Sequence, residues 1–212
     1  MLRATPNPLK QWGLLMRLLY LPYSQKTGGT HRFPGRGFLL YSEFGKTRAD
    51  LWVLPLEGER KPIPFLQTEF TETQGQFSPD GAWIAYTSDE SGQFEVYVRP
   101  FPAGPGKGKV SISGGQFPRW RRDGKELFFL APNRKLMAAA VKAVAGSRRE
   151  FEAAVPQALF ETRIPPPAGT GFTWFGYAAA GDGKRFLMLT SAAESAEAPL
   201  TVVVNWLAAV KR

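Results

Sequence analysis

The amino-acid sequence predicts an all-β fold built from repeated four-stranded antiparallel units. Glycine (22 residues) and proline (18) separate short apolar runs along the whole chain, which is typical of proteins with many turns between strands. An Asp-Gly pair between apolar runs is a strong hairpin signal, because glycine accepts the positive φ that a tight turn requires. The pair occurs three times, as Asp80-Gly81, Asp123-Gly124 and Asp182-Gly183.

The spacing of these pairs predicts the blades of a β-propeller. Residues 80 and 123 are 43 positions apart, and Tyr41 and Tyr86, at matching strand positions, are 45 apart. Propeller blades repeat about every 40–45 residues. The third Asp-Gly pair follows 59 positions after the second, so we expect an insertion there, in the turn-rich residues 165–171 together with 143–150.

The elements follow from this repeat. Residues 1–34 match no repeat and are predicted to be an irregular or short-helical leader, with Pro34-Gly35-Arg36-Gly37 standing where the Asp-Gly turn would be. The clearest unit has predicted strands at 75–78, 83–88, 94–100 and 109–113. Third strands are predicted at 51–56 and 136–141, and residues 200–206 close the last unit. The predicted blades are residues 35–66, 74–113, 114–161 and 170–207 of a partial propeller that spans 35–212.

About four blades are too few for most closed propellers, so the sequence predicts a fragment of a larger one. The end blades of an open array expose apolar faces and unpaired strand edges. Self-association through these open faces is therefore expected.

Composition excludes several classes of site. There is no cysteine, which rules out disulfides, thiolate metal sites and a cysteine nucleophile. His31 is the one histidine, so histidine-rich metal centres are excluded as well, although a calcium site made of carboxylates and carbonyls stays open. No cofactor is predicted.

The charge and the apolar segments constrain the partners. A net charge of +9 suits an anionic partner, but the basic residues are scattered among turns, which makes nucleic acid a poor candidate. The apolar stretch at residues 9–23 contains Lys10 and Arg17 and stops at Pro22, short of the ~20 residues that a membrane span needs. It also lacks the small-residue cleavage site of a signal peptide.

Several strings in the chain carry a family resemblance. Phe77-Ser78-Pro79-Asp80-Gly81, followed by an apolar strand with Tyr86, resembles the TolB-like, WD-like propeller repeat of bacterial periplasmic and signalling proteins. The ordered strings ADLWVLPL (49–56), QFSPDGAWIAYTSDESG (76–92), EVYVRPFP (95–102) and PRWRRDGKELFFL (118–130) resemble the carboxy-terminal propeller of bacterial receptor-type serine/threonine protein kinases.

This resemblance covers about residues 36–207. It implies a sensor or scaffold that binds a protein or a small ligand at the propeller rim or in its channel, on the extracytoplasmic side of a bacterial membrane. The kinase motifs themselves are missing: the chain has no Gly-rich nucleotide loop with a strand lysine, no His-Arg-Asp loop and no Asp-Phe-Gly. Kinase activity is therefore not implied.

The candidate contact residues form the densest basic and aromatic cluster, Arg119, Trp120, Arg121 and Arg122. A guanidinium beside an indole can hold an anion or stack on a base. The alternative is that Trp120 packs between blades while the arginines flank a turn. No catalytic residues are predicted. No Gly-x-Ser-x-Gly elbow is present, and the single histidine available for a Ser-His-Asp triad, His31, lies in the leader outside the repeats.

Two functions stay open at this stage. The first is a non-catalytic binding or sensor propeller. The second is a propeller-fold hydrolase or lyase, which needs at least two carboxylates aimed at one cavity in the channel. The three repeated aspartates are better explained as turn formers than as such a site. The candidate carboxylates outside the turns are Glu69, Glu72, Asp89, Glu90 and Glu95.

Overall fold

The computed structural model describes residues 27–32, 37–45, 48–102, 104–144, 150–164 and 176–189. In that part of the chain every helix or strand assigned is a β-strand, which confirms the predicted all-β class. The described residues contain no helix long and apolar enough to cross a membrane. The strands are β1 (Thr27–Arg32), β2 (Phe38–Phe44), β3 (Ala49–Pro55), β4 (Ile63–Leu66), β5 (Glu72–Phe77), β6 (Trp83–Ser88), β7 (Glu95–Pro100), β8 (Gly108–Lys109), β9 (Gln116–Trp120), β10 (Glu126–Leu130), β11 (Lys135–Val144), β12 (Glu150–Ala153), β13 (Gln157–Glu161), β14 (Tyr177–Ala179) and β15 (Phe186–Met188).

The strands pair in chain order into antiparallel sheets, which are the blades of a propeller. The first blade has the order β1-β2-β3-β4 and the second β5-β6-β7-β8. The third consists of β9, β10 and β11, with β12 and β13 on its outer side, and β14 pairs with β15 in a fourth. First strands of successive blades lie against each other, β1 against β5 and β5 against β9. The predicted class, a partial propeller of four-stranded antiparallel blades, is therefore confirmed.

The first blade starts earlier than the sequence analysis expects. Strand β1 occupies residues 27–32, within the segment predicted to lie outside the repeats, and pairs with β2. Its sequence, TGGTHR, has neither apolar alternation nor strong strand formers beyond two threonines, so it gives no local strand signal. The free edge of β2 supplies the hydrogen-bonding partner that makes it a strand. The rest of the expected leader lies outside the described residues.

The outer edge of the third blade differs from the expectation as well. Strand β11 continues past residue 141 to Val144, and two short strands share its outer edge. Ala138 pairs with Gln157 of β13, whereas Val141 pairs with Ala153 of β12. The predicted insertion is therefore partly a continuation of the blade. Residues 145–149, 165–171 and 200–206, on which other expectations fall, lie outside the described residues.

The second blade is buried on both faces because it lies between two others. Every residue of β6 is buried. Ile84 and Tyr86 belong to a core cluster with Leu40 of the first blade. Trp83, one position along the strand, belongs to a cluster with Leu127 of the third blade. Successive side chains of a strand point to opposite faces, so this one strand supports two inter-blade cores.

Side-chain hydrogen bonds also join the first strands of neighbouring blades. Gln74 and Phe117 have positive φ, 59° and 60°, and both lie where the pairing of their strand shifts register. The Gln74 Oε1 accepts hydrogen bonds from the Thr87 hydroxyl and from the Phe117 amide, each 2.7 Å. The Tyr177 hydroxyl of the fourth blade donates to the Phe117 carbonyl at 2.8 Å. The backbone polar groups of Phe117 are thus bound by side chains from both adjacent blades.

Candidate functional site

The three Asp-Gly turns have the same geometry, as the sequence analysis predicts. The aspartate Oδ1 accepts a hydrogen bond from the backbone amide two residues later, and this holds for Asp80, Asp123 and Asp182. The glycine that follows each aspartate has positive φ, 69°, 72° and 69° in chain order. Because only glycine adopts this conformation without strain, the turn chemistry is structural in each repeat. These carboxylates are committed to their own turns.

The turns of the second and third blades stand side by side and form the mouth of a cleft of about 640 Å³. One wall comes from the β5–β6 turn and Trp83, and the other from the β9–β10 turn and the end of β11. Its volume is in the range of ordinary ligand sites. The polar lining residues are Ser78, Asp80, Arg122, Asp123, Lys125 and Lys142.

Positive charge dominates what this cleft offers to a ligand. Asp123 is occupied by Arg121, whose Nε and Nη2 donate to its two oxygens at 2.8 and 2.9 Å. This pairing lowers the pKa of Asp123 to about 2, so the carboxylate stays ionised and neutralised. Arg122, Lys125 and Lys142 are exposed, and none of them forms a salt bridge with another described residue.

The structure separates the four residues of the predicted basic and aromatic cluster. Arg122 lines the cleft and is exposed, and Trp120 lines it while packing against the core between the second and third blades. Arg121 is held by Asp123 and, at 2.8 Å, by Glu126. Arg119 lies in β9 over the Tyr177 ring, 5.7 Å from its centroid, and burial lowers the pKa of its guanidinium. Two of the four therefore line the cleft, Arg119 contacts the fourth blade, and Arg121 pairs with carboxylates of its own blade.

Trp83 adds a buried hydrogen-bond donor to the wall of the cleft. Its side chain is 1% exposed, and its indole Nε1 has no acceptor among the described residues. The indole of Trp120, by contrast, donates to the Gln76 carbonyl at 3.3 Å. A buried polar group without a partner is costly, so an oxygen that reached the Trp83 N–H would be stabilised there.

The candidate carboxylates outside the turns have mostly structural partners. Glu95 accepts hydrogen bonds from Ser111, the Gly114 amide and Gln93, and pairs with Lys109; burial opposes ionisation of Glu95, but these partners outweigh it and lower its pKa. Asp89 accepts from the Thr71 amide at 2.8 Å, and Glu90 pairs with Lys107. Within the described ranges, no group of three or more His, Asp or Glu side chains is placed to hold a metal ion.

Glu72 is the exception, because it is buried and incompletely bonded. Its side chain is 1% exposed; one oxygen accepts a hydrogen bond from Thr68, while Oε2 has no partner among the described residues. Burial is the main cause that raises the pKa of Glu72 to about 7, and the negative charge of Asp50 adds to it. At neutral pH this carboxyl is therefore about half protonated.

Sequence reasoning did not single out Lys125, Lys142 or Trp83. Lys125 directly follows an Asp-Gly turn, so the repeat could have indicated its place at the rim. Lys142 gives no such signal, since it reaches the cleft because β11 extends beyond its expected end at residue 141. The position of Trp83 in the wall of the cleft becomes visible only when the second and third blades are packed together.

No family model matches the chain, and none of the curated proteins compared with it matches. Among solved structures, the chain is similar to a putative TolB from Agrobacterium tumefaciens, with 16% identity and a TM-score of 0.44, over 57% of this chain and 46% of that one. It is also similar to TolB from Acinetobacter baumannii, with 15% identity and a TM-score of 0.46, over 76% of this chain and 42% of that one.

A third similar structure is a puromycin-hydrolyzing peptidase from Mycobacterium tuberculosis, with 20% identity and a TM-score of 0.45, over 68% of this chain and 25% of that one. The chain thus spans less than half the length of each of these proteins. The blade order and the repeated turns described above define the class of protein, a β-propeller.

Proposed function

We propose that this chain is a non-catalytic binding module of a larger propeller, and that it meets a protein or a small ligand at the cleft between its second and third blades. The observation that carries the proposal is the set of three exposed, unpaired cations around this cleft, Arg122, Lys125 and Lys142. A ligand can bind surface cations that have no salt-bridge partner without first breaking a salt bridge of the protein.

The carboxylates favour binding over catalysis. A hydrolase or lyase needs two of them aimed at one cavity, and an acid or base must reach the substrate. Asp89, Glu90 and Glu95 are engaged in the hydrogen bonds and ion pairs of the second blade. Glu72 has a free oxygen, but it is not among the residues that line the cleft.

The proposed context is the carboxy-terminal propeller of a bacterial receptor-type serine/threonine kinase, on the extracytoplasmic side of the membrane. What supports it is the ordered set of strings from residue 49 to residue 130. The test is the coding sequence upstream of codon 1 in the genome. A kinase domain and a membrane span encoded in the same frame would support this context, whereas an unrelated gene ending before codon 1 would contradict it.

A unique fluorescent label tests the binding proposal, since the chain has no native cysteine. Lys142→Cys places an environment-sensitive maleimide dye at the cleft, and Lys61→Cys places the same dye on the first blade, where the lysine side chain is 78% exposed. Both proteins are titrated with a fixed set of probes: an acidic hexapeptide, a basic hexapeptide, a neutral hexapeptide and a cellohexaose. We expect at least one probe to change the dye at position 142 and to leave the dye at position 61 unchanged.

Two results would contradict the proposal. One is a set of titrations in which no probe changes the dye at position 142 more than the dye at position 61. The other is turnover of p-nitrophenyl acetate or p-nitrophenyl glucoside by the unlabelled chain, above a heat-inactivated control and abolished by Glu72→Gln. That second outcome would favour the hydrolase.

A further inference from the structure

We infer that the cleft between the second and third blades binds an acidic peptide segment through its carboxylates. The inference rests on the proposed function and adds the chemical class of the ligand. It depends on three features of the described residues: the placement of the cations, the way the nearby carboxylates are occupied, and the unpartnered indole N–H of Trp83.

Two of the cations are held close together by the backbone. The Val141 amide donates to the Lys125 carbonyl at 2.9 Å, which fixes the end of the β9–β10 turn against the end of β11. Lys142 follows directly, so Lys125 and Lys142 stand on adjacent chain segments at the same edge of the cleft. Like charges placed side by side repel each other, and an anion between them relieves that repulsion.

The carboxylates near these cations form no salt bridge with them. Asp123 accepts two hydrogen bonds from Arg121, a residue that does not line the cleft. Asp80 accepts from the Ser78 hydroxyl and from the Ala82 amide of its own turn. Glu152 lies opposite Lys142 in the pairing of β11 with β12, but no salt bridge joins the two. A ligand with several carboxylates would therefore find three exposed cations, none of which forms a salt bridge with a described residue.

The limited exposure of the rings that line the cleft favours a peptide over a nucleic acid. A carboxylate or peptide carbonyl oxygen can accept from an indole N–H, and a hydrogen bond to a charged acceptor is stronger than one to a neutral acceptor. A single-stranded nucleic acid needs exposed ring faces on which bases stack. The aromatic residues that line the cleft are Trp83, which is 1% exposed, and Trp120, which is partly buried against the core between the blades.

Calorimetric titration of the full chain with hexaglutamate and with hexaglutamine tests the inference. We expect hexaglutamate to bind and hexaglutamine not to bind, with at least a tenfold loss of hexaglutamate affinity between 50 and 500 mM NaCl, because salt screens exposed charges. We expect the double variant Lys125→Glu/Lys142→Glu to lower the affinity at least tenfold. The matched control, Lys61→Glu/Lys135→Glu, makes the same change in net charge away from the cleft and should lower it less than threefold.

Trp83→Phe tests the donor separately, because it keeps a ring in the wall and removes the N–H. We expect a three- to tenfold weaker binding of hexaglutamate; an unchanged affinity would contradict the role of the indole. Circular dichroism verifies that each variant is folded, and the lysine variants, which change exposed residues, provide the test if Trp83→Phe does not fold.

Three outcomes overturn the inference. Hexaglutamate and hexaglutamine could bind alike, both double variants could weaken binding equally, or a single-stranded oligothymidine could bind more tightly than hexaglutamate with the same dependence on Lys125 and Lys142. If the neutral peptide or the cellohexaose changes the dye at position 142 and hexaglutamate does not bind, the acidic ligand is wrong while the binding function stands.

Discussion

At the scale of single residues, the glycine of each Asp-Gly turn adopts a positive φ that the turn requires. Gly124 has a φ of 72°, and a Cβ added there would meet no atom nearer than 3.8 Å. Space is therefore not the constraint at this turn. The constraint is the left-handed backbone, which a residue with a Cβ adopts at a cost of about 1–2 kcal/mol.

We expect Gly124→Val to lower the free energy of unfolding by about 2 kcal/mol or more, because valine is β-branched and tolerates positive φ least. Gly124→Asn should cost less, since asparagine visits this region more readily. Thermal and urea melts measure both. The matched control is Gly45→Ala, whose backbone is outside the left-handed region and which should change stability by less than about 0.5 kcal/mol. Equal stabilities for parent and Gly124→Val would contradict the role of the turn.

Glu72 is a second single residue that affects stability, because its protonation state changes with pH. Its pKa is raised to about 7 in the folded chain because the carboxyl is buried. The folded state therefore binds a proton that the unfolded state releases at its ordinary pKa. The contribution to stability is fully present below about pH 4.5 and is lost as the pH rises to about 7.

We expect the wild-type chain to lose up to about 3 kcal/mol of stability through Glu72 between pH 4.5 and pH 8. Glu72→Gln stays neutral, so it should be close to wild type at pH 4.5 and more stable than wild type at pH 8. Urea unfolding at pH 4.5, 6 and 8 measures the difference. Glu69→Gln, at an exposed position, is the control and should give no such trend. If the difference in stability between Glu72→Gln and wild type is the same at all three pH values, the raised pKa of Glu72 in the folded chain is contradicted.

Strands and blades are held together by side-chain bonds that cross from one blade to the next. Gln74 of the second blade holds the Phe117 amide of the third, and Tyr177 of the fourth holds the Phe117 carbonyl. The shifted pairing in β5 and β9 frees these backbone groups from their own sheets. Buried backbone groups need partners, so the side chains compensate for the irregular pairing.

We expect Gln74→Met to lower the free energy of unfolding by about 2–4 kcal/mol. Methionine has a similar length but lacks the carbonyl oxygen, so the Thr87 hydroxyl and the Phe117 amide both lose their buried acceptor. Chemical denaturation measures the loss. Gln67→Met, whose exposed amide makes a long 3.4 Å hydrogen bond to Asp50, is the control and should stay within about 0.5 kcal/mol of wild type. A Gln74→Met protein as stable as this control would show that the cross-blade bond contributes nothing.

At the scale of the whole molecule, the fourth blade is the least complete part that the structure describes. Among the described residues it has two short strands, and Leu187 and Leu189 at its end are 77% and 54% exposed. A two-stranded sheet with exposed apolar side chains is marginal by itself and is an edge on which further strands can pair.

We expect the purified chain to self-associate as its concentration rises and Leu187→Lys to reduce that association several-fold, because a charge on an apolar contact surface opposes its burial. Sedimentation velocity across a hundredfold range of concentration measures it. Val155→Lys removes an apolar side chain that is 75% exposed in the connection between β12 and β13, and it should leave the association unchanged. A strictly monomeric wild-type chain at the highest concentration would contradict this expectation.

The sequence alone was enough to predict the all-β class, the repeat, most of the strands and the chemistry of the turns. These features are local: Asp-Gly between apolar runs makes the same turn in the second, third and fourth blades, because glycine readily adopts the positive φ that the turn requires. The side-chain roles of the arginine cluster were not local, and the residue types alone did not distinguish Arg122 at the rim from Arg119 over the Tyr177 ring.

Only the tertiary structure decided the rest, because the deciding partners come from distant parts of the chain. Strand β1 forms against the edge of β2 although its own sequence gives no signal, and β11 extends because β12 pairs with its end. The cleft exists because the turns at Asp80 and Asp123 meet when two blades pack, and Lys142 reaches it through the length of β11. Packing also decided which carboxylates form salt bridges. It therefore decided which cations of the cleft stay available to a ligand.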